Sequence, residues 1–258
     1  MLATRTLGRQ ANGTPLALVH GFTQTGRSWG PLAERLARSR RVVLVDAPGH
    51  GGSADERLDL WGAGRAVLDA VGPSHLLGYS MGGRIGLHAA LEDPAAVGRL
   101  VLVGATAGIA DAAARARRRA DDLALADALE RDGDTGLPVF LERWLSNPLF
   151  ADLTPDAAGI EARRENTAAG LASSLRLCGT GSQEPLDDRL AGLTMPVLLL
   201  VGEHDPKFRA EADRLQAGLP RAEVAVVGGA GHACHLERPD AFLDLVEDWL
   251  TRKAPAPG

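Results

Sequence analysis

Only two of the 258 residues are cysteines, Cys178 and Cys234. They stand far apart with no metal-ligand spacing, so each reads as a plain buried or surface thiol. No apolar run approaches the ~18 residues that span a bilayer, and the opening Met1-Leu2-Ala3-Thr4-Arg5 lacks the apolar core of a secretory signal. An excess of basic charge is missing as well. The formal net charge is −5, which gives no reason to expect a nucleic acid or an anionic membrane as partner. The expectation is a soluble cytoplasmic protein with no membrane, nucleic-acid or protein partner implied, in which any basic feature is local.

What is present points to an ordered α/β chain. Apolar residues make up 45% and charged residues 24%, near the globular average, and the length suits one large domain over 1–258. Short runs apolar on both faces recur at 16–19, 42–45, 76–79, 100–103, 197–201 and 224–227, separated by helix-period stretches. That alternation predicts a mostly parallel central sheet with helices on both faces. It breaks between Gly104 and Pro196, where Ala- and Arg-rich helical stretches predict a cap inserted at about 106–190. Ligands bind at the carboxyl ends of such strands, so this insertion could roof a pocket. After Pro239, Phe242, Leu245, Val246, Trp249 and Leu250 predict a packing helix, and the tail at 253–258 is expected to fray.

Two segments fit Gly-x-Ser-x-Gly, and only their context separates them. Ser80 follows the apolar run Leu76-Leu77-Gly78-Tyr79 and precedes a helical stretch, with glycines at 78, 82 and 83 to let strand and helix approach. This is the strand-turn-helix setting of a nucleophile elbow. Ser28 precedes Trp29, Leu32 and Leu36 at helical spacing and reads as a helix N-cap. A catalytic serine needs a base, and the base needs an orienting carboxylate. Of seven histidines, His232 in the Gly-rich loop Gly229-Ala230-Gly231 is favoured over its neighbour His235, and His88 reads as packing. Asp205 ends a strand at the correct edge, with Glu203 and Asp46 as alternatives. The order Ser80, Asp205, His232 is that of α/β-hydrolases. Oxyanion donors are then expected from the N–H of Met81, after the serine, and of Phe22, in the loop after an early strand.

The segments VHGF, VDAPGHGGS, GYSMGG, GEHD and AGHACH resemble the α/β-hydrolase superfamily over nearly the whole chain. GYSMGGR, ERWLSNPLF and GEHDPKFR, with RARRRADD and EARREN, are similar to the 2-succinyl-6-hydroxy-2,4-cyclohexadiene-1-carboxylate synthases of menaquinone biosynthesis, lyases that eliminate pyruvate from an enolpyruvyl cyclohexene precursor. That resemblance implies substrate contacts from Tyr79 and Arg84 at the elbow, from Arg118 (aligned through Asp122), Trp144 and Arg163 in the cap, and from Lys207 past the triad acid. It implies neither a metal nor an organic cofactor. Met81 stands where leucine is frequent, and Arg117, Arg119 and Arg164 adjoin the transferred arginines, leaving room for a one-residue slip.

The implied ligand is a small polycarboxylate bearing three carboxylates, which guanidinium groups suit through bidentate pairing. An acidic chain would repel it unless arginines concentrate at the pocket. The competing reading makes Arg115, Arg118, Arg119 and Asp122 one solvated helical face and Trp144 part of the cap core. The alternative function is a carboxylesterase or carbon–carbon hydrolase in which Ser80 is a nucleophile.

Overall fold

A computed structural model describes residues 1–8 and 13–252; the tail expected to fray lies outside them. Seven strands form one sheet in the order β1-β3-β2-β4-β5-β6-β7. They are β1 (Thr4–Leu7), β2 (Leu16–Val19), β3 (Val42–Val45), β4 (Ser74–Tyr79), β5 (Val97–Val103), β6 (Val197–Gly202) and β7 (Ala222–Val227). All neighbours run parallel except β1, which pairs antiparallel with β3. The six apolar runs of the sequence are all strands. β1 carries no such run, because it is an edge strand whose residues are mostly exposed.

The sheet is covered on both faces by α1 (Gly30–Leu36), α2 (Leu60–Val71), α3 (Met81–Glu92), α8 (Pro206–Gly218) and α10 (Pro239–Thr251). Alternate strand residues divide between two cores, as the period of two requires. Ala17, Val19, Leu76 and Leu102 pack with Ile85 of α3 and Leu215 of α8. Leu16, Leu18, Leu77 and Val103 pack with Leu36 of α1 and Phe242 of α10.

Between β5 and β6 lie α4 (Ala112–Leu145), α5 (Pro155–Ala158), α6 (Ile160–Arg163) and α7 (Ala168–Cys178), with short 3-10 turns and no strand. α4 is kinked at Gly133, where φ is 61° and ψ −167°. Leu129, Leu137 and Leu141 from its two halves join Leu171 and Leu175 of α7 in a third, smaller core. The short α9 (Cys234–Glu237) follows β7. Among the described residues no helix is long and apolar enough to cross a membrane, and no group of three metal-ligating side chains occurs.

Candidate active site

Ser80 occupies the turn between β4 and α3 with φ 51° and ψ −107°, a conformation that non-glycine residues rarely adopt. Sterics around it are severe. A Cβ at Gly82 would stand 2.1 Å from the Val19 carbonyl oxygen, and one at Gly78 2.3 Å from that of Gly82. Ser28 stands elsewhere, inside a 3-10 turn, where its Oγ accepts from the N–H of Thr25. It is therefore not itself the N-cap residue; Thr25 is.

His232 Nε2 lies 3.3 Å from Ser80 Oγ, and His232 Nδ1 lies 2.8 Å from Asp205 Oδ2. A carboxylate only accepts, so the Nδ1–H donates to Asp205 and the Nε2 lone pair faces the serine hydroxyl. The pair is well buried, with His232 3% and Asp205 5% exposed. The other oxygen of Asp205 accepts from the Phe208 N–H, and the Phe208 ring lies 4.3 Å from the His232 ring. The rivals are occupied elsewhere. His235 lies against Tyr79 and Trp29, His88 packs on Trp61, Asp46 accepts from Gly26 and Gly52, and Glu203 accepts from Gly229.

The loop after β2 is held from several sides. His20 Nε2 accepts from the Ala47 N–H while Nδ1 donates to the Gly21 carbonyl, and His50 Nε2 accepts from the Thr23 N–H while Nδ1 donates to the Pro48 carbonyl. Both rings are neutral, because burial lowers His20 to about 4 and His50 to about 3. Thr23 has φ 67°. The insertion secures it: Arg163 donates to Thr23 Oγ1, and Asn166 donates to the Thr23 carbonyl at 2.8 Å while accepting from the Gly51 N–H at 3.0 Å. Phe22, one residue earlier, lies edge-on to Trp144 at 5.0 Å. Met81 opens α3, so its N–H has no intrahelical partner.

A cavity opens where the strand ends meet the insertion. Phe22, Tyr79, Ser80, Met81, Arg84, Arg118, Trp144, Arg163, Lys207 and His232 all line it, and Asp205 stands behind His232. The structure thus brings ten of the eleven residues singled out in the sequence to one wall and the last to its second layer. The register of the arginines is also visible. Arg118 is half-buried and Arg163 buried, whereas Arg117, Arg119 and Arg164 are exposed. Trp144 is half-buried and Lys207 reaches 5.3 Å from the Phe208 ring.

The cavity is cationic within an acidic chain. Asp122 is its one lining carboxylate, and it is already engaged by Arg118 at 2.8 Å and by the Gly181 N–H at 3.0 Å. Arg84 and Arg163 have no carboxylate in ion-pair range among the described residues. Burial lowers each to about 10, so both remain guanidinium ions at neutral pH. Arg84 meets a neutral amide instead, Gln183 Oε1 at 3.4 Å. Desolvated cations without an internal counter-charge suit an anionic ligand.

His20, His50, Phe150, Asn166 and Phe208 lie inside segments that carry the family resemblance, but the sequence assigned them no role. No short pattern marks Ser174 or Gln183, since each meets a partner distant in the chain. Cys178 also lines the cavity, with its thiol pushed up to about 12 by burial.

The model of the alpha/beta hydrolase family matches residues 16–245. The 2-succinyl-6-hydroxy-2,4-cyclohexadiene-1-carboxylate synthase of Serratia proteamaculans is 33% identical over 261 residues, covering 97% of this chain and 98% of that protein. The solved structure of MenH from S. aureus superposes with a TM-score of 0.87 at 28% identity, covering 96% of this chain and 97% of that one. A hydrolase from Pseudomonas aeruginosa PA01 superposes with a TM-score of 0.77 at 28% identity, covering 97% and 94%. The chain belongs to the alpha/beta hydrolase family and, within it, to the family of 2-succinyl-6-hydroxy-2,4-cyclohexadiene-1-carboxylate synthases.

Proposed function

We propose that this protein is a carbon–oxygen lyase of menaquinone biosynthesis. It eliminates pyruvate from 2-succinyl-5-enolpyruvyl-6-hydroxy-3-cyclohexene-1-carboxylate to give 2-succinyl-6-hydroxy-2,4-cyclohexadiene-1-carboxylate. The observation that carries this reading is the cavity's surplus of positive charge above a Ser-His-Asp array. Arg84, Arg118, Arg163 and Lys207 face one carboxylate, Asp122, which is itself paired. A substrate with three carboxylates matches that surplus, whereas a neutral ester leaves buried cations unanswered. The reading places the enzyme in the cytoplasm, acting on a small-molecule polycarboxylate.

In the reaction His232, oriented by Asp205, accepts the Ser80 proton, and the serine oxygen removes the ring proton beside the succinyl carbonyl. The electron pair moves onto the succinyl carbonyl oxygen as an enolate, which the N–H groups of Phe22 and Met81 stabilise. As the enolate collapses, the ring carbon–oxygen bond breaks. The departing enolpyruvate takes up the proton held by His232 at its methylene carbon and becomes pyruvate, which returns His232 to its neutral form. Arg84, Arg118, Arg163 and Lys207 bind carboxylates, while Tyr79 and Trp144 wall the ring. No acyl-enzyme is formed.

Lactate-dehydrogenase-coupled pyruvate release from the enolpyruvyl precursor tests the proposal, set against p-nitrophenyl ester hydrolysis by the same preparation. Arg84→Ala is expected to lower kcat/KM for pyruvate release about 100-fold, the loss of one buried charge pair worth about 3 kcal/mol. Brisk ester turnover with no pyruvate release from the precursor would establish the alternative, a hydrolase with Ser80 as nucleophile, and an Arg84→Ala variant that releases pyruvate normally would overturn the assignment of Arg84 as a carboxylate-binding residue.

A further inference from the structure

His232 must hold two distances at once, 2.8 Å to Asp205 and 3.3 Å to Ser80, although it sits in a loop with glycines at 228, 229 and 231. Ring neighbours alone leave it free to slide, since Phe208 at 4.3 Å and Tyr79 at 5.4 Å give broad, weakly directional contacts. The backbone supplies what they lack. Glu237, the last residue of α9 and 9% exposed, accepts from the Gly231 N–H through Oε2 and from the Ala233 N–H through Oε1, the latter at 3.0 Å. These N–H groups belong to the two residues on either side of the histidine.

We propose that Glu237 is a positioning residue for His232: its carboxylate bridges the flanking N–H groups and so fixes where the imidazole stands between Asp205 and Ser80. Rotation of either peptide breaks a charge-assisted hydrogen bond in a buried site, which is costly. Only a carboxylate serves both donors. A glutamine of the same shape presents an NH2 group to one of them, and an aspartate is too short to span both. Burial, the largest influence, raises Glu237 above the usual carboxylate range, and the two N–H bonds oppose it. A buried carboxylate with no cation in ion-pair range among the described residues is an expensive way to stabilise a loop, and the position of the base accounts for its presence. The proposal rests on His232 acting as the base, common to both uses of Ser80, and not on pyruvate elimination itself.

The test compares wild type with Glu237→Gln and Glu237→Asp in two measurements, each scaled to folded protein by near-ultraviolet circular dichroism. One is the low-field proton resonance of the His232 Nδ1–H in the free enzyme; the other is the steady-state kinetics of pyruvate release. Both variants are expected to shift or broaden the resonance and to lower kcat about 10- to 100-fold. KM is expected to stay within about two-fold, because the cavity arginines are untouched. A resonance and kcat per folded chain equal to wild type in either variant overturn the proposal, as does a loss of total activity that only matches the loss of folded protein. If wild type releases no pyruvate, the functional reading fails while the resonance still decides the role of Glu237.

Discussion

Ser80 bears a side chain at φ 51° and ψ −107°, where a Cβ costs on the order of 1–3 kcal/mol. Replacing it by glycine removes that strain together with the hydroxyl. Ser80→Gly is expected to abolish pyruvate release while raising stability by about 1 kcal/mol, read as a higher calorimetric Tm. An unchanged or lower Tm would show that the turn is not strained. Residues of this kind were legible in the sequence because their chemistry is local: small neighbours around Ser80, a strand-end acid and a glycine-rich loop each mark one position. Gln183 and Glu237 were not legible. The first matters because it offers Arg84 an amide rather than a carboxylate, the second because it reaches back to Gly231 and Ala233. Only the folded chain reveals either partnership.

Elements follow the same division. The strands buried on both faces announce themselves as Val/Leu runs, whereas β1 is short, exposed and held by backbone pairing to β3, so its residues carry no apolar signature. The helical content of 112–178 was readable from its Ala- and Arg-rich stretches and the absence of a strand run, but its grip on the loop after β2 was not. Asn166 makes that grip at the junction of α6 and α7. Its amide meets the carbonyls of Thr23 and Arg163 and the N–H of Gly51. Asn166→Ala leaves the buried Thr23 carbonyl and the half-buried Gly51 N–H unanswered, at roughly 1 kcal/mol each, while the Arg163 carbonyl keeps the backbone N–H of residue 166. The variant is expected to lose about 2 kcal/mol of stability and to lower kcat for pyruvate release as Phe22 drifts. Chemical denaturation and the coupled assay check both, and retention of full stability would mean that water replaces the amide.

Across the whole molecule, burial depresses five histidines, the half-buried His75 and four that are buried. His20 and His88 are lowered to about 4, and His50 and His235 to about 3. Each is neutral in the fold and binds a proton more readily once unfolded. Their stabilisation is therefore complete above the ordinary value of about 6.5 and is lost as pH falls towards 4. At pH 5 the loss is about 2 kcal/mol for each of the four buried rings and about 8 together, comparable with the total stability of a domain. Cooperative acid unfolding between about pH 6 and 4.5, followed by circular dichroism, is expected; a protein still native at pH 4 would contradict it. The net charge of −5 gave no hint of this liability or of the cationic cavity, because a sum over 258 residues hides where charges sit. The hold of Arg163 and Asn166 on Thr23 also bears on how such enzymes can be re-engineered. The insertion is not an interchangeable lid. A chimera that borrows residues 106–190 from a relative with another substrate leaves the host's oxyanion loop without its far anchor, so segment 21–25 has to travel with it.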